Sequence, residues 1–93
     1  MITAFVMMNA ERDRIADVPD ELLKINGVTE VYSVAGGFDL VAIVRVKEPD
    51  DLAKVVTEQF VKVKGITRTR TLIAFRCHSK YDLENAFQVG VKD

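Results

Sequence analysis

The sequence predicts a single α+β domain in which two βαβ units follow one another in the order βαββαβ. The chain has 93 residues, of which 48% are apolar, enough for one small hydrophobic core. It also repeats itself at an offset of 38 positions, which aligns ITAFVMM at 2–8 with LVAIVRV at 40–46. The same offset aligns LLKINGVTEV at 22–31 with FVKVKGITRT at 60–69. Each half therefore contains an extended apolar run, an amphipathic stretch, a glycine and a second extended run.

The first half begins with the strand at 2–8 and continues into a helix. Four apolar residues recur there at spacings of three, four and three, as one buried helical stripe requires: Ile15, Val18, Leu22 and Ile25. Pro19 interrupts the stripe. It predicts either a kink in the helix or a new helix start, with the proline in the first turn. Gly27 suits a left-handed end of this helix, and the AGG stretch at 35–37 predicts a hairpin between strands two and three.

The second half repeats this plan with a more regular helix. Glu48 or a neighbour caps it, and Pro49 opens it. Asp50 and Asp51 favour the positive end of the helix dipole. Gly65 ends the helix before the last strand. Five apolar residues are expected to form the buried face of this helix: Leu52, Val55, Val56, Phe60 and Val63.

Right-handed crossovers would place both helices on one face of a four-stranded antiparallel sheet, which is the ferredoxin-like arrangement. The opposite face then has no helix to cover it. The strands at 2–8 and 40–44 carry apolar residues at consecutive positions and therefore on both faces. We expect a second copy to cover this face, which gives a sheet-to-sheet dimer of the dimeric α/β barrel type. The alternative is that methionine and small side chains tolerate partial exposure.

Charge and composition exclude several classes of protein. Thirteen basic and 14 acidic residues are mixed along the chain, so the sequence predicts no direct nucleic-acid partner. Arg68, Arg70 and Arg76 alternate onto one face of the last strand, where we expect ion pairs with a neighbouring subunit.

No signal-like segment is present and the longest apolar runs are about five residues, so we expect a cytoplasmic protein without a membrane partner. Cys77 and His78 are the only cysteine and the only histidine, and adjacent residues on a strand point to opposite faces, so neither a metal site nor a Cys-His nucleophile is expected. No cofactor is expected.

Two stretches carry a resemblance to a known family. The stretch GVTEVYSVAGGFDLVAIVRV at 27–46 contains a Gly-x-x-x-Val-Tyr-x-x-x-Gly-x-x-Asp pattern, formed by Gly27, Val31, Tyr32, Gly36 and Asp39. The stretch GITRTRTLIAF at 65–75 contains a Thr-x-Thr, formed by Thr69 and Thr71. Through these patterns nearly the whole chain resembles the effector-binding (RAM) domain of the leucine-responsive regulator and AsnC (Lrp/AsnC) family.

This resemblance implies a non-enzymatic domain that binds a free amino acid and oligomerises. It would modulate transcription regulation of the Lrp/AsnC type without binding DNA itself. Family members usually carry a helix-turn-helix domain before this one, whereas this chain begins at Met1 directly on the first strand, so it resembles the stand-alone members. The resemblance further implies a homo-oligomer, with dimers that assemble into an octamer-like ring, and a full-length Lrp/AsnC regulator as a further partner.

The resemblance also places the effector site near the hairpin, with these residues: Tyr32, Gly36, Gly37, Phe38, Asp39, Thr69 and Thr71. Two compatible interpretations of Asp39 remain open. Its carboxylate accepts hydrogen bonds from hairpin N–H groups around Gly36 and Gly37, or it pairs with the α-ammonium of an amino acid. In the second case, the exposed glycine N–H groups or the two threonine hydroxyls would hold the α-carboxylate. Ordinary strand packing remains an alternative for Tyr32 and the threonines.

We expect the RAM-like domain to span residues 1–78 and a C-terminal extension, with a short helical turn beginning at Asp82, to span 79–93. Two other functions remain open. One is a small enzyme of the dimeric α/β barrel class, similar to monooxygenases, and the other is a pure oligomerisation module. His78 lies beyond the predicted sheet and Asp39 at its edge, so no catalytic residue is predicted.

Overall fold

The computed structural model describes residues 1–80; residues 81–93, including the helical turn predicted at Asp82, lie outside the described part. The element order is strand, helix, strand, strand, helix, strand, which confirms the predicted βαββαβ plan. The elements are β1 (Ile2–Ala10), α1 (Val18–Leu23), β2 (Val28–Ser33), β3 (Leu40–Val46), α2 (Pro49–Lys54) and β4 (Ile66–Ala74).

The four strands form one antiparallel sheet in the order β2-β3-β1-β4. The two central strands are the first strands of the two sequence repeats, as the ferredoxin-like fold requires. β1 pairs with β3 as far as Met8, which lies opposite Leu40, and then extends two residues further to Ala10. On its other side β1 pairs with β4, where the register shifts between Asn9 and Ala10. The end of β1 therefore projects beyond the start of β3.

The hydrophobic core lies between the sheet and the helices. Alternate residues of β1 and β3 point into it because side chains alternate between the two faces of a strand. Each of these residues is fully buried: Ala4, Val6, Met8, Leu40, Ala42 and Val44. They pack with buried residues of the helical segments, among them Val18, Leu22, Leu52 and Phe60. This packing positions the strand ends that carry the candidate site.

Pro19 marks a restart of the first helix and not a kink. A turn occupies residues 12–17, and α1 begins at Val18 with the proline in its first turn, where a missing N–H is harmless. Ile15 lies in the preceding turn and is partly buried, so the predicted apolar stripe extends over a turn and a helix. Gly27 follows with a φ of 101°, which confirms the predicted left-handed conformation after the helix.

The second helix is not the single regular helix that the sequence predicts. α2 is followed by a π-helical segment at Val55–Gln59 and by a 3-10 turn at Phe60–Lys62. The N–H of Phe60 donates to the carbonyl of Val55, five residues back. This wider turn lets both Val55 and Phe60 enter the core. The predicted N-terminal cap is present, because the N–H of Glu48 donates to the Asp51 carboxylate at 3.3 Å.

Within residues 1–80, no element covers the face of the sheet opposite the helices. We call its apolar part the open sheet face; it consists of Phe5, Met7, Val41, Ile43 and Leu72. Phe5 is 38% exposed and Leu72 is 49% exposed, whereas Ile43, at the centre, is 6% exposed. The prediction that β1 and β3 are apolar on both faces is confirmed.

None of the helices within residues 1–80 has the length and the apolar composition that a membrane span needs.

Candidate functional site at the β2–β3 hairpin

Residues 34–39 form the hairpin that joins β2 to β3. The N–H of Val34 donates to the carbonyl of Asp39 at 2.9 Å and closes the loop. Gly36 has a φ of 126°, a conformation that residues with a side chain rarely adopt. A Cβ atom at Gly36 or at Gly37 would meet no atom within 4 Å, so the surface of the loop is open. The backbone of the hairpin is therefore accessible to a small molecule from outside.

Asp39 fastens the hairpin to the end of β1. Its N–H donates to the carbonyl of Met8 at 2.9 Å. Its carboxylate oxygen Oδ2 accepts hydrogen bonds from the N–H of Ala10 at 3.0 Å and from the side-chain amide of Asn9 at 3.3 Å. The same amide donates to the carbonyl of Gly37 at 3.2 Å. The end of β1 and the hairpin thus form one hydrogen-bonded unit.

The structural interpretation of Asp39 named the wrong partners. The sequence predicts N–H groups around Gly36 and Gly37, whereas the carboxylate accepts from Ala10 and Asn9. The reason is that β1 projects beyond Met8, its last residue paired with β3, so the N–H of Ala10 has no strand partner on that side. The carboxylate takes the place of that missing partner, because a half-buried N–H without a hydrogen bond is costly.

One carboxylate oxygen of Asp39 remains available. Within the described residues 1–80, Oδ1 accepts no hydrogen bond, although a carboxylate has about four acceptor sites. A cation lies near the same unit, because Arg68 is the β4 partner of Asn9. The Arg68 guanidinium carbon stands 5.0 Å from the centre of the Phe38 ring, within the range of a cation–π contact. No carboxylate in the described part of the chain pairs with it.

Among residues 1–80, the hairpin unit therefore presents a carboxylate oxygen without a hydrogen bond and a guanidinium without an ion pair, beside an open glycine loop. An ammonium group fits the first of these and a carboxylate fits the second, both through charge-assisted hydrogen bonds. A molecule that carries both groups on one carbon, such as an α-amino acid, has the complementary charges.

The structure does not bring the two threonines to this unit within one chain. Thr69 lies opposite Met8 and Thr71 opposite Val6, and both of these β1 residues point into the core on the helix side of the sheet. Thr69 lines a cleft of about 300 Å³ together with Phe60, and Arg68 borders the same cleft. Because neighbouring residues on a strand point to opposite faces, the side chains of Thr69 and Arg68 extend from opposite sides of β4.

Tyr32 is half exposed and its hydroxyl is engaged elsewhere. It lies opposite Val41 on the same side of the sheet as the open sheet face. The hydroxyl donates a hydrogen bond to the Glu30 carboxylate, which also accepts from Arg45 at 3.3 Å. Arg45 also donates to the Thr29 hydroxyl at 2.6 Å. The hydrogen bond from Tyr32 lowers the pKa of Glu30 below its ordinary value, and the same bond raises the pKa of Tyr32.

Sequence reasoning missed two residues of the hairpin unit: Asn9, and Arg68, for which it predicts an ion pair between subunits. Both enter the site through strand register, since Asn9 is opposite Arg68 on one side and donates to Asp39 on the other. The predicted fold held a signal, because antiparallel pairing of β1 with β4 brings the end of β1 close to the start of β4.

Cys77 and His78, the pair considered for metal or thiol chemistry, lie apart from the hairpin. Both follow β4 and are exposed. Within residues 1–80, no three His, Cys, Asp or Glu side chains come together in a way that could hold a metal ion.

A ferredoxin-like domain with a polar site at one end of its sheet is the class of protein that this fold and hairpin define. The family model for the Lrp/AsnC ligand binding domain matches residues 3–82, and the chain belongs to that family. An uncharacterised helix-turn-helix-type transcriptional regulator of Pyrococcus furiosus is 34% identical over 76 residues, which are 78% of this chain and 51% of that protein. The chain thus spans about half the length of the curated relatives it matches.

Two solved structures resemble this fold closely. The crystal structure of TTHA0845 from Thermus thermophilus has a TM-score of 0.80 and 41% identity, covering 86% of this chain and all of that one. The feast or famine regulatory protein of M. tuberculosis, complexed with L-methionine, has a TM-score of 0.72 and 28% identity, covering 86% of this chain and 54% of that protein. Both likenesses confirm the predicted fold.

Proposed function

We propose that this chain is a non-enzymatic effector-binding domain that takes a free amino acid at the hairpin unit. Through assembly with copies of itself, and with a full-length regulator of its family, it would modulate transcription regulation without contacting DNA. The observation that carries this proposal is the pair of opposite charges at the hairpin, the Oδ1 oxygen of Asp39 and the guanidinium of Arg68, beside the open loop at Gly36 and Gly37.

The roles of the residues follow from their contacts. Asp39 would bind the α-ammonium through Oδ1 while Oδ2 keeps its structural hydrogen bonds to β1. Arg68 would bind the α-carboxylate, and Phe38 holds its guanidinium in place from one side. The loop glycines let the ligand approach the backbone closely. Thr69, Thr71 and Tyr32 would complete the site only if a second subunit places its own copies at this hairpin.

The relatives support this class of ligand. The feast or famine regulatory protein of M. tuberculosis was solved with L-methionine bound, and several relatives are named as transcriptional regulators. These names also favour a regulatory role over an enzymatic one.

Self-association is the second part of the proposal. The open sheet face leaves Phe5 and Leu72 partly exposed, and a second copy of the same face would bury both. We propose a sheet-to-sheet dimer, with dimers that assemble further into a ring. If the amino acid binds between assembled subunits, it stabilises the assembly by its differential affinity for that state.

A thermal-shift screen of the twenty amino acids tests the ligand proposal. We expect at least one amino acid to raise the melting temperature of the wild-type protein. The shift should disappear in Asp39→Asn, which removes the charge but retains an acceptor oxygen for Ala10, and in Arg68→Gln. Arg76→Gln is the matched control, since Arg76 follows the opposite end of β4 and its loss should leave the shift intact.

Two results would overturn the proposal. One is that no amino acid stabilises the wild-type protein at millimolar concentration. The other is that the stabilisation persists undiminished in both Asp39→Asn and Arg68→Gln, because the ligand would then bind elsewhere.

A further inference from the structure

A second cleft lies at the other end of β3 from the hairpin. It has a volume of about 680 Å³, within the range of small-molecule sites. Its walls come from three segments: the end of α1 with the turn after it, the end of β3, and α2 with the π-helical segment that follows. The α1 side contributes Lys24, the β3 side Lys47 and the α2 side Lys54.

The cleft carries uncompensated positive charge. Within residues 1–80, the ammonium groups of Lys24, Lys47 and Lys54 form no ion pair and no hydrogen bond. Asp51 is the single carboxylate in the lining, and it accepts a hydrogen bond from the N–H of Glu48. The guanidinium of Arg45, which also lines the cleft, is already paired with Glu30. Three ammonium groups thus face one carboxylate in a chain whose formal net charge is −1.

The interaction of lysines with helix dipoles explains two of the three lysines in the cleft. Lys24 is the C-terminal cap of α1 and Lys54 lies in the last turn of α2, where a cation interacts favourably with the helix dipole. Lys47 follows the end of a strand, so a helix dipole does not explain its position. The dipole also gives no reason why three lysines from three different segments should line one cavity.

The base of the cleft is fixed in place. The carbonyl of Gly27 accepts a hydrogen bond from the N–H of Arg45 at 2.8 Å, which ties the turn after α1 to β3. A Cβ atom at Gly27 would lie 3.0 Å from a methyl group of Val46, so the turn packs closely against the strand. The backbone that carries Lys24 and Lys47 is therefore held at a fixed separation.

We propose that this cleft binds a small dianion of the phosphate monoester class. Lysine ammonium groups are compact point charges that bind phosphate oxygens from several directions. The excess of two positive charges over the carboxylate of Asp51 matches a phosphate dianion, and the volume leaves room for the organic part of the ester.

The cleft is separate from the hairpin site. The hairpin precedes Leu40 and the cleft lies at Val46, so six residues of β3, or about 20 Å, separate the two. The helical segments that line the cleft lie on the opposite side of the sheet from the open sheet face, so the cleft stays open in a sheet-to-sheet dimer. A failure of the amino-acid proposal would leave this one standing.

Isothermal titration calorimetry at low ionic strength tests the proposal, with inorganic phosphate, glycerol phosphate and citrate as probes and sodium chloride at matched ionic strength as the reference. We expect saturable binding of the two phosphate compounds. The double variant Lys24→Gln/Lys47→Gln should weaken it by about 5- to 25-fold, since each exposed charge contact is worth up to about fivefold. Lys62→Gln/Lys64→Gln is the matched control, because neither of these lysines lines the cleft, and it should change the affinity by less than about twofold.

Three results would overturn the proposal. Absence of saturable binding by either phosphate compound would exclude the site. An equal loss of phosphate affinity in the two double variants would show that the phosphate is attracted by surface charge in general and not by the cleft. Tighter binding of citrate than of both phosphate compounds would show that the cleft prefers polycarboxylates.

Discussion

We propose two roles for Asp39 because its two carboxylate oxygens differ in their contacts. Oδ2 satisfies the N–H of Ala10, which projects beyond the start of β3, whereas Oδ1 accepts no hydrogen bond from residues 1–80. Under this proposal the same side chain holds the hairpin in place and offers a charge to a ligand. The residue can be recognised in the sequence as an acidic group before an apolar strand, but its partners depend on where β1 ends relative to β3.

Substitution of Asp39 separates the two roles. We expect Asp39→Ala to lower the free energy of unfolding by about 1–3 kcal/mol, because the half-buried N–H of Ala10 loses its partner. Asp39→Asn keeps an acceptor oxygen and should cost less than about 1 kcal/mol. Urea unfolding of both variants without ligand measures the difference. Equal costs for the two variants would show that the charge, and not the hydrogen bond, stabilises the hairpin.

The position of Arg68 at the hairpin, unlike the presence of Asp39 there, could not be predicted from the sequence. The alternation of arginines in β4 predicts that Arg68 and Arg70 share a face, and the register agrees. Which of them lies at the hairpin depends on the pairing of β4 with β1, which is a long-range contact. The local sequence pattern predicts which face of the strand a side chain lies on, but not which residue of the neighbouring strand lies opposite it.

At the scale of elements, the connection between the second helix and β4 requires a glycine at position 65. Gly65 has a φ of 100°, and its carbonyl accepts a hydrogen bond from the N–H of Glu11 at 2.7 Å. The side chain of Arg14 packs directly over it, so an added Cβ would lie 2.4 Å from the Cβ of Arg14. The turn after β1 and the turn before β4 can approach each other only without a side chain at this position.

Gly65→Ala and Gly37→Ala form a matched pair. We expect Gly65→Ala to destabilise the protein by at least about 1–2 kcal/mol, because it combines an unfavourable φ with a steric conflict against Arg14. Gly37→Ala has neither problem and should change stability by less than about 1 kcal/mol. Thermal unfolding monitored by circular dichroism tests this. A Gly65→Ala variant as stable as Gly37→Ala would contradict the close approach of the two turns.

The element order, the repeat and the helix-ending glycines could be predicted because each depends on residues close together in the sequence. The π-helical segment could not be predicted. The apolar residues of the whole second helical region fit an ordinary helical stripe: Leu52, Val55, Val56, Phe60 and Val63. The wider turn results from packing Val55 and Phe60 into the same core, which only the assembled fold determines.

At the scale of the whole molecule, the helices pack on one face of the sheet, and no other element of the described residues 1–80 covers the opposite face. The open sheet face contains residues that an isolated chain would leave partly exposed, among them Phe5 and Leu72. Full burial of an exposed large side chain contributes about 1.5–3 kcal/mol, and Phe5 and Leu72, which are already partly buried, would each contribute a fraction of that value against a second copy. We therefore expect the folded unit in solution to contain at least two copies.

Leu72→Lys tests this dimer. Leu72 is 49% exposed in the single chain, so we expect the fold to persist, whereas the dissociation constant of the dimer should rise by about 100-fold or more. Val61→Lys is the control, since Val61 is 73% exposed and lies in the 3-10 turn, on the helical side of the sheet. Sedimentation equilibrium of the three proteins measures the effect. A wild-type protein that sediments as a single folded chain at micromolar concentration would contradict the dimer.

Recognition of a zwitterion at the hairpin is the central claim, and calorimetric titration with modified ligands tests it most directly. The amino acid that stabilises the protein most would be compared with its N-acetyl form and its carboxamide, each of which lacks one of the two charges. Because hydrogen bonds to charged groups contribute about 1.5–3 kcal/mol, we expect each modification to weaken binding by at least about tenfold. Undiminished binding of both modified compounds would contradict the claim that Asp39 and Arg68 read the two charges of an amino acid.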